Sequence, residues 1–287
     1  QRLGDGLGVL RVCPSGDHQQ GVARCARCAL RDVVDVHFGK LAWGRETATS
    51  YDLKIAEQLY LHAVDDLIAE TQGKQISRWL LPLGNDFYHM DNVKNTTLNG
   101  TPQDVDGRYG KVIEAGEIAV IKAIERMMTK APVDVIWVPG NHDPTTSFHL
   151  ARTVKAWFHN EDAVAVDVEP APRKYFAYGK NLIGLTHGDS EKHEFLPNIM
   201  AQERRPEWSK ATCTEWLIGH MHRSRQWVTK NVDQHQGTVV RVLKSLSGTD
   251  SWHFKKGYVG GQQAAEVYFY AHDGWYAGHN VVAARLK

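Results

Sequence analysis

Five short strand-like runs in this 287-residue chain each end in a small polar motif rich in metal-binding side chains. Asp32–Val36 closes on Asp35-Val36-His37. Trp79–Leu83 leads into Gly84-Asn85-Asp86 and then Phe87-Tyr88-His89. Val133–Val138 leads into Pro139-Gly140-Asn141-His142-Asp143, Asn181–Thr186 into His187-Gly188-Asp189, and Glu215–Ile218 into Gly219-His220-Met221-His222. Short apolar runs bounded by turn residues read as buried strands. Open α/β sheets hold their ligands outside the carboxyl ends of the strands, so the pattern gathers five groups of ligand-type residues at such an edge. In extended backbone, residues i and i+2 share a face, so Asp35 with His37, and His220 with His222, could each reach one cation. Glycine adjoins four of the five motifs, where it permits a sharp turn or a close approach. A lone D-x-H or H-x-H arises often by chance, and Asn-His-Asp after Pro-Gly is a respectable turn. Chance does not account for five in order, each following a strand.

Between these runs the apolar period changes to that of helices. Ser50 or Thr49 is expected to cap a helix in which Ile55/Ala56, Leu59/Tyr60, Ala63/Val64 and Leu67/Ile68 recur. A second helix is expected over Lys111–Thr129. Further strands are expected at Thr238–Leu243 and Ala265–Tyr270. This β-α-β-α-β order, followed by a strand-rich C-terminal half, predicts α/β layers around two sheets. The polar, turn-rich stretch from Met90 to Gly110 is long for a loop without function, and its position predicts an active-site rim.

Composition narrows the classes. Hydrophobic residues make up 42% and charged residues 23%, with a net charge of +1, so no global basic field advertises nucleic-acid binding. A metal site could still supply phosphate-binding charge locally. No run approaches the ~18 apolar residues of a membrane span, and the first residues lack a basic-then-apolar signal pattern. Four cysteines are too few and too clustered for a disulfide scaffold, which points to a reducing, cytoplasmic setting. Residues 1–30, rich in Gly, Arg and Cys, are expected to be a leader, either disordered or a small Cys/His site. Cys13, His18, Cys25 and Cys28 could there hold a structural zinc, although their spacing matches no common finger.

The series D-x-H, G-x-D, G-N-H-D, H-G and G-H-x-H, from Asp35 to His222, resembles that of the calcineurin-like metallophosphoesterase superfamily. Its second motif, Gly84-Asn85-Asp86-Phe87-Tyr88-His89, is similar to the G-G-D-L-F-H form of the SbcD-type nucleases. The resemblance implies an α/β/β/α sandwich of two mixed β-sheets flanked by helices, a catalytic domain over 31–287, and a metal site at strand C-terminal ends. Two divalent or mixed-valence metal ions are implied, the first held by Asp35, His37, Asp86 and His222 and the second by Asp86, Asn141, His187 and His220. Asp86 is preferred over Asn85 as the bridge, because a bridging ligand needs two charged oxygens. The mixed imidazole and carboxylate donors suit manganese first, then iron or zinc, better than calcium or magnesium.

A hydroxide shared by the two ions would be the nucleophile. His142, unligated, would assist the leaving oxygen, with Asp143 orienting its ring and raising its pKa. Asp189 is expected to fix a ligand ring. His89 would face the substrate, Arg108 could pair with a phosphate, and Trp252 could stack a base or aromatic leaving group. The implied activity is that of a phosphodiesterase on DNA or a nucleotide-like diester. The alternatives are a phosphomonoesterase or protein phosphatase on the same centre, and a non-enzymatic scaffold, which the complete ligand set disfavours.

Overall fold

The computed structural model describes residues 10–12, 27–32, 34–220, 232–235, 237–257, 262–274 and 276–284. Twelve strands run along these segments: β1 (Leu10–Val12), β2 (Arg27–Asp32), β3 (Ile76–Gly84), β4 (Val133–Val138), β5 (Val164–Asp167), β6 (Lys174–Tyr178), β7 (Asn181–Thr186), β8 (Cys213–Ile218), β9 (Val232–His235), β10 (Thr238–Val242), β11 (Ala264–Ala271) and β12 (Tyr276–Ala283). The helices are α1 (Gly44–Thr47), α2 (Leu53–Ala69), α3 (Tyr109–Met128), α4 (Pro144–Trp157), α5 (Leu196–Glu203), α6 (Arg205–Trp208) and α7 (Ser251–Lys255).

The strands form two six-stranded sheets, ordered β12-β11-β2-β3-β4-β5 and β1-β6-β7-β8-β10-β9. Both are mixed. In the first, β2, β3, β4 and β5 are parallel, β11 runs antiparallel to β2, and β12 antiparallel to β11. In the second, β7, β8 and β10 are parallel, with antiparallel β6 and β9 beside them.

Side-chain alternation along the strands creates the layers. Cys28, Leu30, Leu80 and Ile136 of the first sheet pack against Phe176, Ile183, Leu185 and Leu217 of the second. The other face of the first sheet, with Ala29, Trp79, Leu81 and Val135, packs on α2, α3 and α4 through residues such as Leu59, Val64, Ile124 and Leu150. The other face of the second sheet puts Tyr175, Leu182 and Trp216 against Leu196 and Met200 of α5. The molecule is thus an α/β/β/α sandwich. No helix among the described residues is long and apolar enough to cross a membrane.

The strand expected at Asp32–Val36 lies instead at Arg27–Asp32, where pairing with β11 and β3 sets its extent. The sandwich therefore begins before residue 31, and β1 also falls in the segment expected to be a leader. Cys13, His18 and Cys25 lie outside the described residues, whereas Cys28 is buried between the sheets. The cap of α2 is Asp52, whose carboxylate accepts from Ile55 N–H at 2.7 Å. Ser50 is occupied elsewhere, its hydroxyl accepting from Gly44 N–H at 3.1 Å.

Candidate metal centre

The site forms where the C-terminal ends of parallel β2, β3 and β4 meet those of β7 and β8 across the sandwich. Backbone hydrogen bonds lock the first two motifs side by side. Asp35 N–H donates to Asn85 O at 3.0 Å, His37 N–H to Asp86 O at 3.1 Å and Phe38 N–H to Phe87 O at 2.7 Å. The third motif joins through Asn85 N–H on Val138 O at 2.7 Å and His142 N–H on Asp86 Oδ1 at 2.8 Å.

This interlock requires unusual backbone. Asp35, His37, Asn85, Asp86 and His220 take φ of 50°, 51°, 54°, 60° and 63°, and outside the site only Ala48 and Asn95 do so among the described non-glycine residues. Left-handed conformations of this kind cost about 1–3 kcal/mol each and persist where surrounding structure over-determines them. The i, i+2 reading of Asp35 and His37 therefore fails in its cause, because neither residue is extended. They converge through two left-handed turns. Gly84, at φ 94°, and Gly140 are needed for a different reason: a Cβ would collide with Val138 O at the first and with Asp86 Oδ1 at the second.

Donor atoms of Asp35, His37 and Asp86 lie within 4.8 Å of one another, as do those of Asp86, His187 and His220, and those of His37, His89 and His142. Asp86 belongs to the first two groups. Asn141 joins the second, its Oδ1 lying 2.7 Å from His187 Nε2. His187 Nε2 also lies 3.2 Å from Asp86 Oδ2 and 3.1 Å from His220 Nδ1. Six of the seven expected ligands are thus brought together; His222 lies outside the described residues.

Asp35, Asp86 and Asp143 are all fully buried. Burial pushes Asp35 up to about 7, with the Asp86 charge adding to the shift and His187 opposing it. Burial, then Asp86, raises Asp143 well above the carboxylate range. For Asp86 burial acts upward too, but His187 and the His142 N–H together hold it below that range. His187 is correspondingly held up at about 9: burial alone would lower it, and the Asp86 and Asp35 carboxylates outweigh that effect. Buried acidic oxygens facing imidazole nitrogens make a place that favours positive charge. Asp86 Oδ2 is buried and faces His187 Nε2 at 3.2 Å. The donor set fits a transition metal, with nitrogen and carboxylate ligands mixed.

Two expected supporting roles fall to other residues. The Asp143 carboxylate accepts from Tyr88 N–H at 2.7 Å rather than from the His142 ring. His142 Nδ1 instead lies 3.2 Å from His89 O, a group that can only accept. As the residue before α4, Asp143 is turned beneath the site, where it braces the second motif. Asp189 is exposed, its carboxylate bonded to Ser190 Oγ at 3.1 Å. The His187 ring is fixed by Asn85, whose Oδ1 accepts from Nδ1. The amide passed over as the bridge thus makes Nδ1 a donating nitrogen and turns Nε2 to Asn141 Oδ1 and Asp86 Oδ2, where it would serve as the ligand to a metal ion.

His89 is buried inside the cluster, with Nδ1 3.2 Å from His37 Nδ1 and its ring stacked on that of His142 at 5.4 Å. A cavity of about 370 Å³ opens from this point, lined by His89, His142 and His220 on the cluster side and by Pro102, Asp104 and Trp252 on the rim. The Met90–Gly110 stretch does supply part of this rim. Arg108 is exposed at the start of α3 and does not line the cavity.

Lys40 went unnoticed in the sequence. It is buried, and its Nζ donates to Ser247 Oγ at 3.2 Å and to Gly248 O, 3.7 Å from Asp250. No family model matches this chain, and no curated protein matches it.

Proposed function

We propose that the protein is a dinuclear metal-dependent phosphoesterase of the calcineurin-like type, and specifically a phosphodiesterase acting on a nucleic-acid or nucleotide diester. The observation that carries this reading is the meeting of Asp35, His37, Asp86, Asn141, His187 and His220 at the strand ends of two sheets, with Asp86 common to two donor groups. One ion would be held by Asp35, His37 and Asp86, with His222 as the further expected ligand, and the other by Asp86, Asn141, His187 and His220. Manganese fits this set, as do iron and zinc. When bound, such ions supply Lewis-acid charge to phosphoryl oxygens and make water acidic enough to ionise near neutral pH.

The chain's own groups account for the rest. Because His89 O can only accept, His142 donates to it through Nδ1, which leaves Nε2 for the substrate; a proton carried there in addition would pass to the leaving oxygen. His142 is partly exposed in the cavity wall, where a bound ester would meet it. That is the arrangement of a general acid. The buried His37, His89 and Asp86 exclude water from behind the site, so charge there is poorly screened.

The test is hydrolysis of a panel of phosphate mono- and diesters, including single- and double-stranded DNA, with manganese and with chelator. Diester turnover that chelator abolishes is expected. Monoester-only turnover would reject the diesterase reading, and no turnover without metal binding would reject the whole proposal.

A further inference from the structure

The cavity beside the histidine cluster has two rim segments, Thr101–Asp104 and Asp250–Trp252. They are joined directly, Ser251 Oγ donating to Asp104 Oδ2 at 3.2 Å. They are also joined through Lys40, whose backbone pairs with Val105 while its ammonium holds Ser247, Gly248 and Asp250. Burying an ammonium is costly unless acceptors surround it, and here they all belong to one loop. The loop continues into α7, where Trp252 lines the cavity and is 58% exposed. The rim thus brings Trp252 and Pro102 to the cavity wall with Gln103, Asp104 and Asp250 beside them. A nucleobase has the matching shape, apolar on its faces and hydrogen-bonding on its edge.

We propose that this cavity is a nucleobase subsite, with Trp252 as its stacking wall and Lys40 as the positioning residue that fixes that wall beside the reacting phosphate. The substrate class is then a diester presenting an unpaired nucleoside: a nucleotide diester or a single-stranded end. A paired base in duplex is already stacked on both faces and cannot enter. The net charge of +1 agrees, since tracking a duplex takes several phosphate contacts. The inference rests on the phosphoesterase reading for the place of the phosphate.

Calorimetric titration of manganese-supplemented protein with thymidine 5′-monophosphate and with inorganic phosphate tests it. The wild type should bind the nucleotide roughly tenfold or more tightly than phosphate. Trp252→Ala should bring that ratio close to one, and Trp252→Phe should keep most of it. Lys40→Met should lower the ratio with manganese content unchanged. Equal affinities in the wild type, or a ratio untouched by Trp252→Ala, would overturn the subsite. A nucleotide preference without hydrolysis of any ester would reject the phosphoesterase reading while supporting the subsite. Ester hydrolysis without nucleotide preference would do the reverse.

Discussion

The floor and the rim of the site are built on opposite principles. The floor is made of strand ends locked by backbone hydrogen bonds, with left-handed residues at five positions and buried carboxylates throughout. The rim is made of loops and the one-turn helix α7, with Trp252 exposed and Lys40 tying the segments together from beneath. The floor can hold one kind of chemistry and tolerates little change. The rim can alter what is presented to that chemistry without disturbing it, as expected where function lies in a site carried by a general fold. Mutations in the floor should therefore act on metal and rate, and mutations in the rim on selectivity.

The largest effect is expected from Asp86→Ala, which removes the carboxylate common to two donor groups. Diester turnover should fall below detection. Retained turnover would show that the floor is not organised around this residue. His142→Ala should keep its metal and lose about 10²–10⁴-fold in rate, as for other lost general acids, measured as kcat beside metal content. A matching loss of metal would make His142 a ligand instead.

Asn85→Ala tests the floor one step from the donors. Without the amide that fixes the His187 ring, metal affinity should drop about 10–100-fold in equilibrium titration. Unchanged affinity would mean that the tautomer of His187 is set elsewhere.

The smallest effect concerns the rim and is a matter of stability. Burial lowers Lys40 to about 8 from 10.5, with Asp250 opposing the shift. Between those pH values the unfolded chain binds a proton that the folded chain lacks, so stability from this group rises with pH there. Below about 8 the cost of the buried ammonium is fully present. Lys40→Met removes that dependence. Its Tm relative to wild type should fall by roughly 2–4 °C on going from pH 8 to 10. A pH-independent difference would place the lysine's charge outside the energetics of the rim.

What was legible in the sequence follows the same division. Val133–Val138 and Asn181–Thr186 are strands over the whole of their predicted ranges, because both are mostly apolar runs bounded by turn residues. The first strand was misplaced because Arg27–Asp32 reads as polar, and its extent is set by neighbours far along the chain. The donor residues of the floor were legible as types at the ends of strands. Their geometry was not, since the left-handed turns at Asp35 and His37 depend on pairing with Asn85 and Asp86. Asn85 meets His187 across 102 positions and Lys40 meets Gly248 across 208. Separations of that size leave no local pattern, so their roles, like the bond from Tyr88 N–H to Asp143, emerged only from the fold.

The central claim is that the floor is a dinuclear metal centre. Its most direct test is manganese content per chain after equilibration and removal of free ion, in the wild type and Asp86→Ala. Two ions per wild-type chain are predicted, with loss of at least one in the variant. A wild-type chain that binds no manganese, iron or zinc, or a variant that binds as much as the wild type, would contradict it.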